Sequence, residues 1–180
     1  MGFWYESGSF VLPADAMSTL NEPLTADEMK LIKQVSRTEI EQAFSQLRIT
    51  VTEAPTAFWR VEVLRSLPVR KGQRLPNAGE SLALGPLGGT GAIGFDFVAL
   101  EALHYAPKGA SRRSIVEGIG RGIGRVAVHE FMHQILGAAG GHNDVDENSY
   151  EYGSPERSSQ YYGELHWTTA WPLLHEKYGM

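Results

Sequence analysis

The chain has 180 residues, of which 42% are hydrophobic and 21% charged; this suits one domain with a sizeable core, and no shift in composition marks a second. The formal charge of -5 excludes the basic footprint of a nucleic-acid binder, and no apolar run approaches the length of a membrane span. Cys is absent, which excludes disulfides and thiolate metal sites, so any metal must be held by nitrogen and oxygen.

Residues 1–24 contain Pro13 and Pro23 among mixed polarity and read as an irregular arm that packs through Phe3, Trp4, Tyr5 and Phe10. The first residues are aromatic and acidic where an export signal would be basic, so no signal is expected in the chain as it stands and the compartment is open. Thr25-Ala26-Asp27-Glu28 has the spacing of a capping box. The apolar positions Leu31, Ile32, Val35, Ile40, Ala43, Phe44 and Leu47 then recur at helical intervals, predicting a helix that covers a sheet. Leu47–Val51 and Trp59–Val63 alternate apolar and polar residues and read as strands. Residues 68–92 are rich in Gly and Pro and predict a long surface connection, with a short strand at Ser81–Leu84; Ile93–Val98 is a further strand candidate.

Ser114-Ile115-Val116-Glu117 repeats the capping-box spacing, so a helix starting there and running through His133 is one expectation. Gly118, Gly120, Gly122 and Gly124 oppose it, each costing about 1 kcal/mol in a helix interior relative to Ala. They fit no dinucleotide fingerprint. They imply either close packing against a neighbour or a loop with the helix starting near Gly124. Ser154-Pro155-Glu156 reads as the start of a final helix leading through Tyr161, Leu165, Trp167 and Ala170 to Pro172.

The chemistry is concentrated in His129-Glu130-Phe131-Met132-His133. Residues four apart share a helical face, so both imidazoles can reach one metal, while Glu130 is turned to address a water beside it. The flanks fit a buried helix: Arg125–Val128 leads in, Gln134-Ile135-Leu136 completes the last turn, and Gly137 follows as the residue best able to end it. After Ala138-Ala139-Gly140-Gly141 comes His142, near enough in sequence to swing back as a third ligand and leave the open fourth position that catalytic zinc uses. Other candidates for the third ligand are Asp144, Asp146, Glu164 and His166. His104 reads as a packed or edge histidine, and His175 as a structural one near a helix carboxyl end. The acidic residues 144, 146, 147, 151, 156, 164 and 176 face only Arg157 and Lys177 in the last forty positions, a bias that would favour cationic substrates or simply a solvated face.

Over residues 114–153 the chain resembles the metzincin clan of zinc metallopeptidases, whose pattern is H-E-x-x-H-x-x-G-x-x-H. The first five positions match, Gly137 comes one residue late and His142 three residues late. Metzincins follow the third His with a tight turn containing Met; here Ser149-Tyr150-Glu151-Tyr152-Gly153 stands at nearly that distance, with Glu151 in the place of Met. The resemblance implies an α+β, zincin-like fold with a mixed, mostly antiparallel sheet, an active-site helix and a C-terminal helix in a single domain spanning 1–180. It implies Zn2+ on His129, His133 and His142. It implies hydrolysis of a peptide or protein substrate by metal-activated water, with Glu130 as general base and Tyr152 donating to the oxyanion, and Tyr150 or Tyr161 behind it. A gluzincin-like peptidase with Glu164 as third ligand, or a non-catalytic metal-containing binding domain, are the other readings. Neither substrate nor oligomeric state can be read from the residues.

Overall fold

The computed structural model describes residues 1–14, 20–73 and 76–180. Its framework is a four-stranded sheet in the order β1-β2-β4-β3, made of β1 (Gly2–Tyr5), β2 (Trp59–Leu64), β3 (Gly79–Ala83) and β4 (Gly89–Gly94). The sheet is mixed but not mostly antiparallel: β1 pairs with β2 and β2 with β4 in parallel, and only β3 runs antiparallel, on the edge beside β4. Parallel neighbours need long crossovers, and residues 6–58 supply one of them. This crossover includes α1 (Ala26–Ala43), whose first turn is closed by the expected capping box: Glu28 N–H donates to Thr25 Oγ1 (3.2 Å) and Thr25 N–H to Glu28 Oε2 (2.8 Å).

The amino-terminal segment is thus not wholly an irregular arm. Gly2–Tyr5 adds to the sheet through β2, Phe10, Leu12 and Leu20 are buried, and residues 15–19 lie outside the described part. Leu47–Val51 makes no strand, although its alternation is real and Leu47 and Val51 are buried. It finds partners at single points: a bridge from Leu47 to Gly179, Arg48 N–H on the Tyr178 carbonyl at 2.7 Å, and the Thr50 and Val51 carbonyls accepting from the Met1 amino group at 2.7 Å and from Arg37 at 3.2 Å. The strand expected at Ile93–Val98 stops at Gly94, and Phe95 opens α2 (Phe95–His104). A short apolar run is ambiguous between the two states, and here Phe95, Val98, Ala99 and Ala102 take the buried face of a helix. The connection at 68–92 holds both β3 and the start of β4; residues 74 and 75 are outside the described part.

The central element is α3 (Arg112–Leu136), unbroken over 25 residues. Its cap is Ser111, three residues before the expected one, with Ser114 N–H donating to Ser111 Oγ at 3.1 Å; Glu117 instead pairs with Arg113 one turn back. The helix lies across β2, β4 and β3, while α1, expected to cover the sheet, packs chiefly along α3. Gln134 fastens it to β2 by accepting from Arg60 N–H (3.0 Å) and donating to the Arg60 carbonyl (2.9 Å).

Glycines at every second position resolve into two helical stripes on different faces. A Cβ at Gly118 or Gly122 would strike Tyr162 or Tyr161 at 2.7 and 2.5 Å, and one at Gly120 or Gly124 would strike Val35 or the Ser36 carbonyl of α1 at 2.8 and 2.5 Å. Close packing on both sides, rather than a loop, is therefore what these glycines serve. Each stripe follows the i, i+4 spacing of one helical face.

The expected helix from 154 to 172 is two pieces, α4 (Ser159–Tyr162) and α5 (Ala170–Tyr178), with Pro172 inside the first turn of α5, where its missing N–H costs nothing. Between them, residues 163–169 run extended beside the loop after α3. The Ser149–His166 bridge holds the two together, and Trp167 Nε1 donates to the Ala43 carbonyl at 2.8 Å. Among the described residues no helix is long and apolar enough to cross a membrane.

Candidate metal centre

The carboxyl half of α3 carries His129, Glu130 and His133 into the lining of a cleft of about 590 Å³, which is also lined by β3, Tyr150 and residues 152–157. The helix ends at Gly137, which takes φ 57°, and the chain then makes one 3-10 turn, Gly137–Ala139. That turn takes up the three residues by which His142 lags the metzincin spacing. His142 returns to the same point: the Nε2 atoms lie 3.0 Å apart for His129–His133, 3.1 Å for His133–His142 and 3.3 Å for His129–His142.

This triangle is close enough to hold a metal ion. The His129 Nδ1–H donates to the Tyr150 carbonyl at 2.8 Å. That bond places the His129 ring proton on the outward nitrogen and leaves its Nε2 lone pair toward the other two rings, as a metal-ligating histidine requires. Metal–nitrogen distances of about 2.0–2.1 Å in a tetrahedron put adjacent ligand nitrogens about 3.3 Å apart, close to the observed edges. Burial drives the His129 pKa down to about 3 and lowers that of His133, with the neighbouring His142 adding to the second effect, so both rings are neutral donors near pH 7. Among the described residues, His129, His133 and His142 form a group able to hold a metal ion.

The rival ligands go elsewhere. Asp144 accepts from Gly153 N–H (3.1 Å), and Asp146 accepts from Asn148 N–H (2.9 Å) and from His166 Nε2 (2.8 Å). Glu164 is exposed and outside the converging group. His104 sits edge-on to Tyr105, and His175 lies in the last turn of α5 beside Trp171.

Glu130 is 6% exposed and lies against β3, whose Gly79 has room for no side chain: a Cβ there would meet Glu130 Oε1 at 2.7 Å. The Ser81 hydroxyl donates to the Glu130 backbone carbonyl at 3.3 Å, tying the edge strand to the helix at this residue. Burial raises the Glu130 pKa to about 7. Tyr152 lines the cleft, its ring 4.6 Å from the Arg157 guanidinium carbon; Tyr150 also lines it but packs its ring on Trp167, and Tyr161 is fully buried against Tyr105.

Two supports were not legible in the residues. One is the Tyr150 carbonyl, a backbone group that no side-chain pattern reports. The other is Glu151, fully buried, whose carboxylate accepts from Thr168 N–H (2.9 and 3.2 Å) and Ala170 N–H (2.8 Å), while its carbonyl accepts from Asn143 N–H (3.0 Å). Where metzincins place Met, this chain has a carboxylate that fastens the turn below the histidines to the start of α5. In comparisons with known proteins, no family model, no curated protein and no solved structure matches this chain.

Proposed function

We propose that the chain is a zinc-dependent metallopeptidase of zincin-like build. The observation that carries this reading is the convergence of three imidazole nitrogens beside the buried Glu130, in a cleft bordered by an edge strand. The donor set is three imidazole nitrogens, which suits zinc and leaves a coordination position open. Bound there, zinc would supply Lewis-acid polarisation of a carbonyl and acidify water toward neutrality.

The rest belongs to the chain's own groups. Glu130, on the helix face next to the ligands, takes a proton from the attacking water and returns it to the leaving amine. Among the described residues β3 pairs with β4 alone, and its Gly79, Glu80 and Ser81 line the cleft, so we assign its unpaired N–H and C=O groups to align an extended peptide across Glu130. Tyr152, which also lines the cleft, is the residue we assign to donate its hydroxyl to the developing oxyanion.

The test is zinc content by mass spectrometry, alongside cleavage of a fluorogenic peptide library by the wild type and Glu130→Gln. The expected result is about one zinc per chain in both proteins, with cleavage lost in the variant, because a general base contributes little to holding the metal. A zinc-replete wild type that cleaves nothing would sink the peptidase reading and leave a metal-containing binding domain.

A further inference from the structure

Two arginines are buried in the cleft wall, and their partners differ. Arg125 of α3 is 6% exposed and paired with Glu39 at 2.8 Å. Arg157 is 7% exposed, and its Nη2 donates only to neutral groups, the Ser149 carbonyl at 2.9 Å and Gln160 Oε1 at 3.0 Å. Its Nε and Nη1 are buried and have no hydrogen-bond partner among the described residues. The nearby acids make no ion pair with it: Glu156 is exposed, the Glu151 carboxylate is committed to Thr168 and Ala170, and Asp146 and Glu147 act on it only through space.

A buried cation without a direct ion pair is costly, and a buried donor without an acceptor calls for an explanation. Burial also draws the Arg157 pKa down to about 10. The position supplies the explanation. Arg157 lines the same cleft as the three histidines, and the Ser149 carbonyl that it holds is one peptide from the Tyr150 carbonyl that holds His129. Its guanidinium is covered on one side by the half-buried Tyr152 ring.

Resting on the peptidase reading above, we infer that Arg157 is the carboxylate-recognising residue of the cleft, and that the preferred substrate presents either an acidic side chain or a free C-terminal carboxylate beside the histidine group. A carboxylate would complete Arg157 as Glu39 completes Arg125, through charge-assisted hydrogen bonds. This reverses the bias toward cationic substrates that the acidic carboxyl-terminal segment suggests.

The experiment uses the zinc-loaded full chain carrying Glu130→Gln, so that peptides bind without turnover, and measures Kd for three peptides of equal length. One is neutral with an amidated end, one has a single interior Glu and an amidated end, and one is neutral with a free carboxyl end. At least about tenfold tighter binding of one carboxylate peptide is expected, and which one it is names the source. Adding Arg157→Gln should equalise the three, and Arg157→Lys should recover part of the preference. Equal Kd values with Arg157 intact, absence of binding by all three, or a preference that survives Arg157→Gln would each overturn the assignment. If Arg157→Gln does not fold, the comparison of peptides on the Arg157-intact protein decides alone. Carboxylate preference in a zinc-loaded wild type that cleaves no peptide would leave Arg157 assigned and remove the peptidase instead.

Discussion

The His129 Nδ1–H donates to the Tyr150 backbone carbonyl at 2.8 Å, so the orientation of the first imidazole of the histidine group is set by main chain 21 positions away. This bond fixes the tautomer with the Nε2 lone pair inward. The Tyr150 side chain plays no part in it, and Tyr150→Phe should therefore retain the metal. His129→Asn, His133→Asn and His142→Asn should each lose it, whereas Asp146→Asn and Glu164→Gln should not. Metal content after dialysis against a weak chelator checks the set, and retention by His142→Asn with loss from Glu164→Gln would move the third ligand to Glu164.

Glu151 supports that carbonyl from the next residue. Its buried carboxylate accepts from Thr168 and Ala170, and Glu151→Gln would turn an amide N–H against backbone N–H groups. Losing a charged acceptor at a buried site costs about 1–3 kcal/mol, which for a chain of this length lowers Tm by several degrees. Because the same turn positions His129, zinc affinity should also fall, by about tenfold. Calorimetry with and without zinc separates the two effects, and an unchanged Tm and affinity would show that Glu151 is not the fastening of this turn.

What was legible in the sequence is what depends on near neighbours. The pairing of His129 with His133 follows from helical spacing, and the Thr25 cap from a four-residue pattern. Glu151 was read only as a residue out of place, because its partners lie 17 and 19 positions away. The sheet was misjudged for a related reason: whether β2 lies parallel to β1 depends on where α1 carries the chain, and alternation within Trp59–Val63 is the same for either direction. Leu47–Val51 has a strand's pattern but lacks a neighbour along its length. The alternating glycines were legible as close packing only in outline, since the period of two hides two faces of period four.

Acid sensitivity should be concentrated at the start of α1. Arg112 sets two nitrogens on Glu28 (2.6 and 2.9 Å) and also donates to the Leu20, Glu22 and Pro23 carbonyls, joining α3 to the chain that leads into α1. The guanidinium, with the Thr25 contacts, holds the Glu28 pKa at about 2, below its ordinary value of 4.5. A depressed carboxyl pKa contributes stability that is present above the unfolded value and lost as pH falls through the folded one. The Tm difference between wild type and Glu28→Gln should therefore be full above pH 4.5 and shrink toward pH 2. A difference that stays constant across that range would mean the ion pair is not its source.

Gly124 sets helix propensity against packing, and packing should win. Alanine would favour the helix by about 1 kcal/mol, the usual advantage over glycine in a helix interior. At Gly124, however, the added Cβ would sit 2.5 Å from the Ser36 carbonyl oxygen and 2.7 Å from Glu39 Cβ, so α1 must move away from α3. Overpacking of this kind costs about 1–3 kcal/mol, and here the obstacle is backbone rather than the tip of a flexible side chain. Glu39 is also the partner of Arg125, so the shift would loosen that buried pair. Gly124→Ala should accordingly lower Tm, whereas Gly141→Ala, where a Cβ meets nothing within 4 Å, should leave it nearly unchanged. Thermal unfolding of the two variants beside the wild type measures this, and a Gly124→Ala protein more stable than wild type would show that α1 and α3 do not pack as closely as the glycine stripe requires.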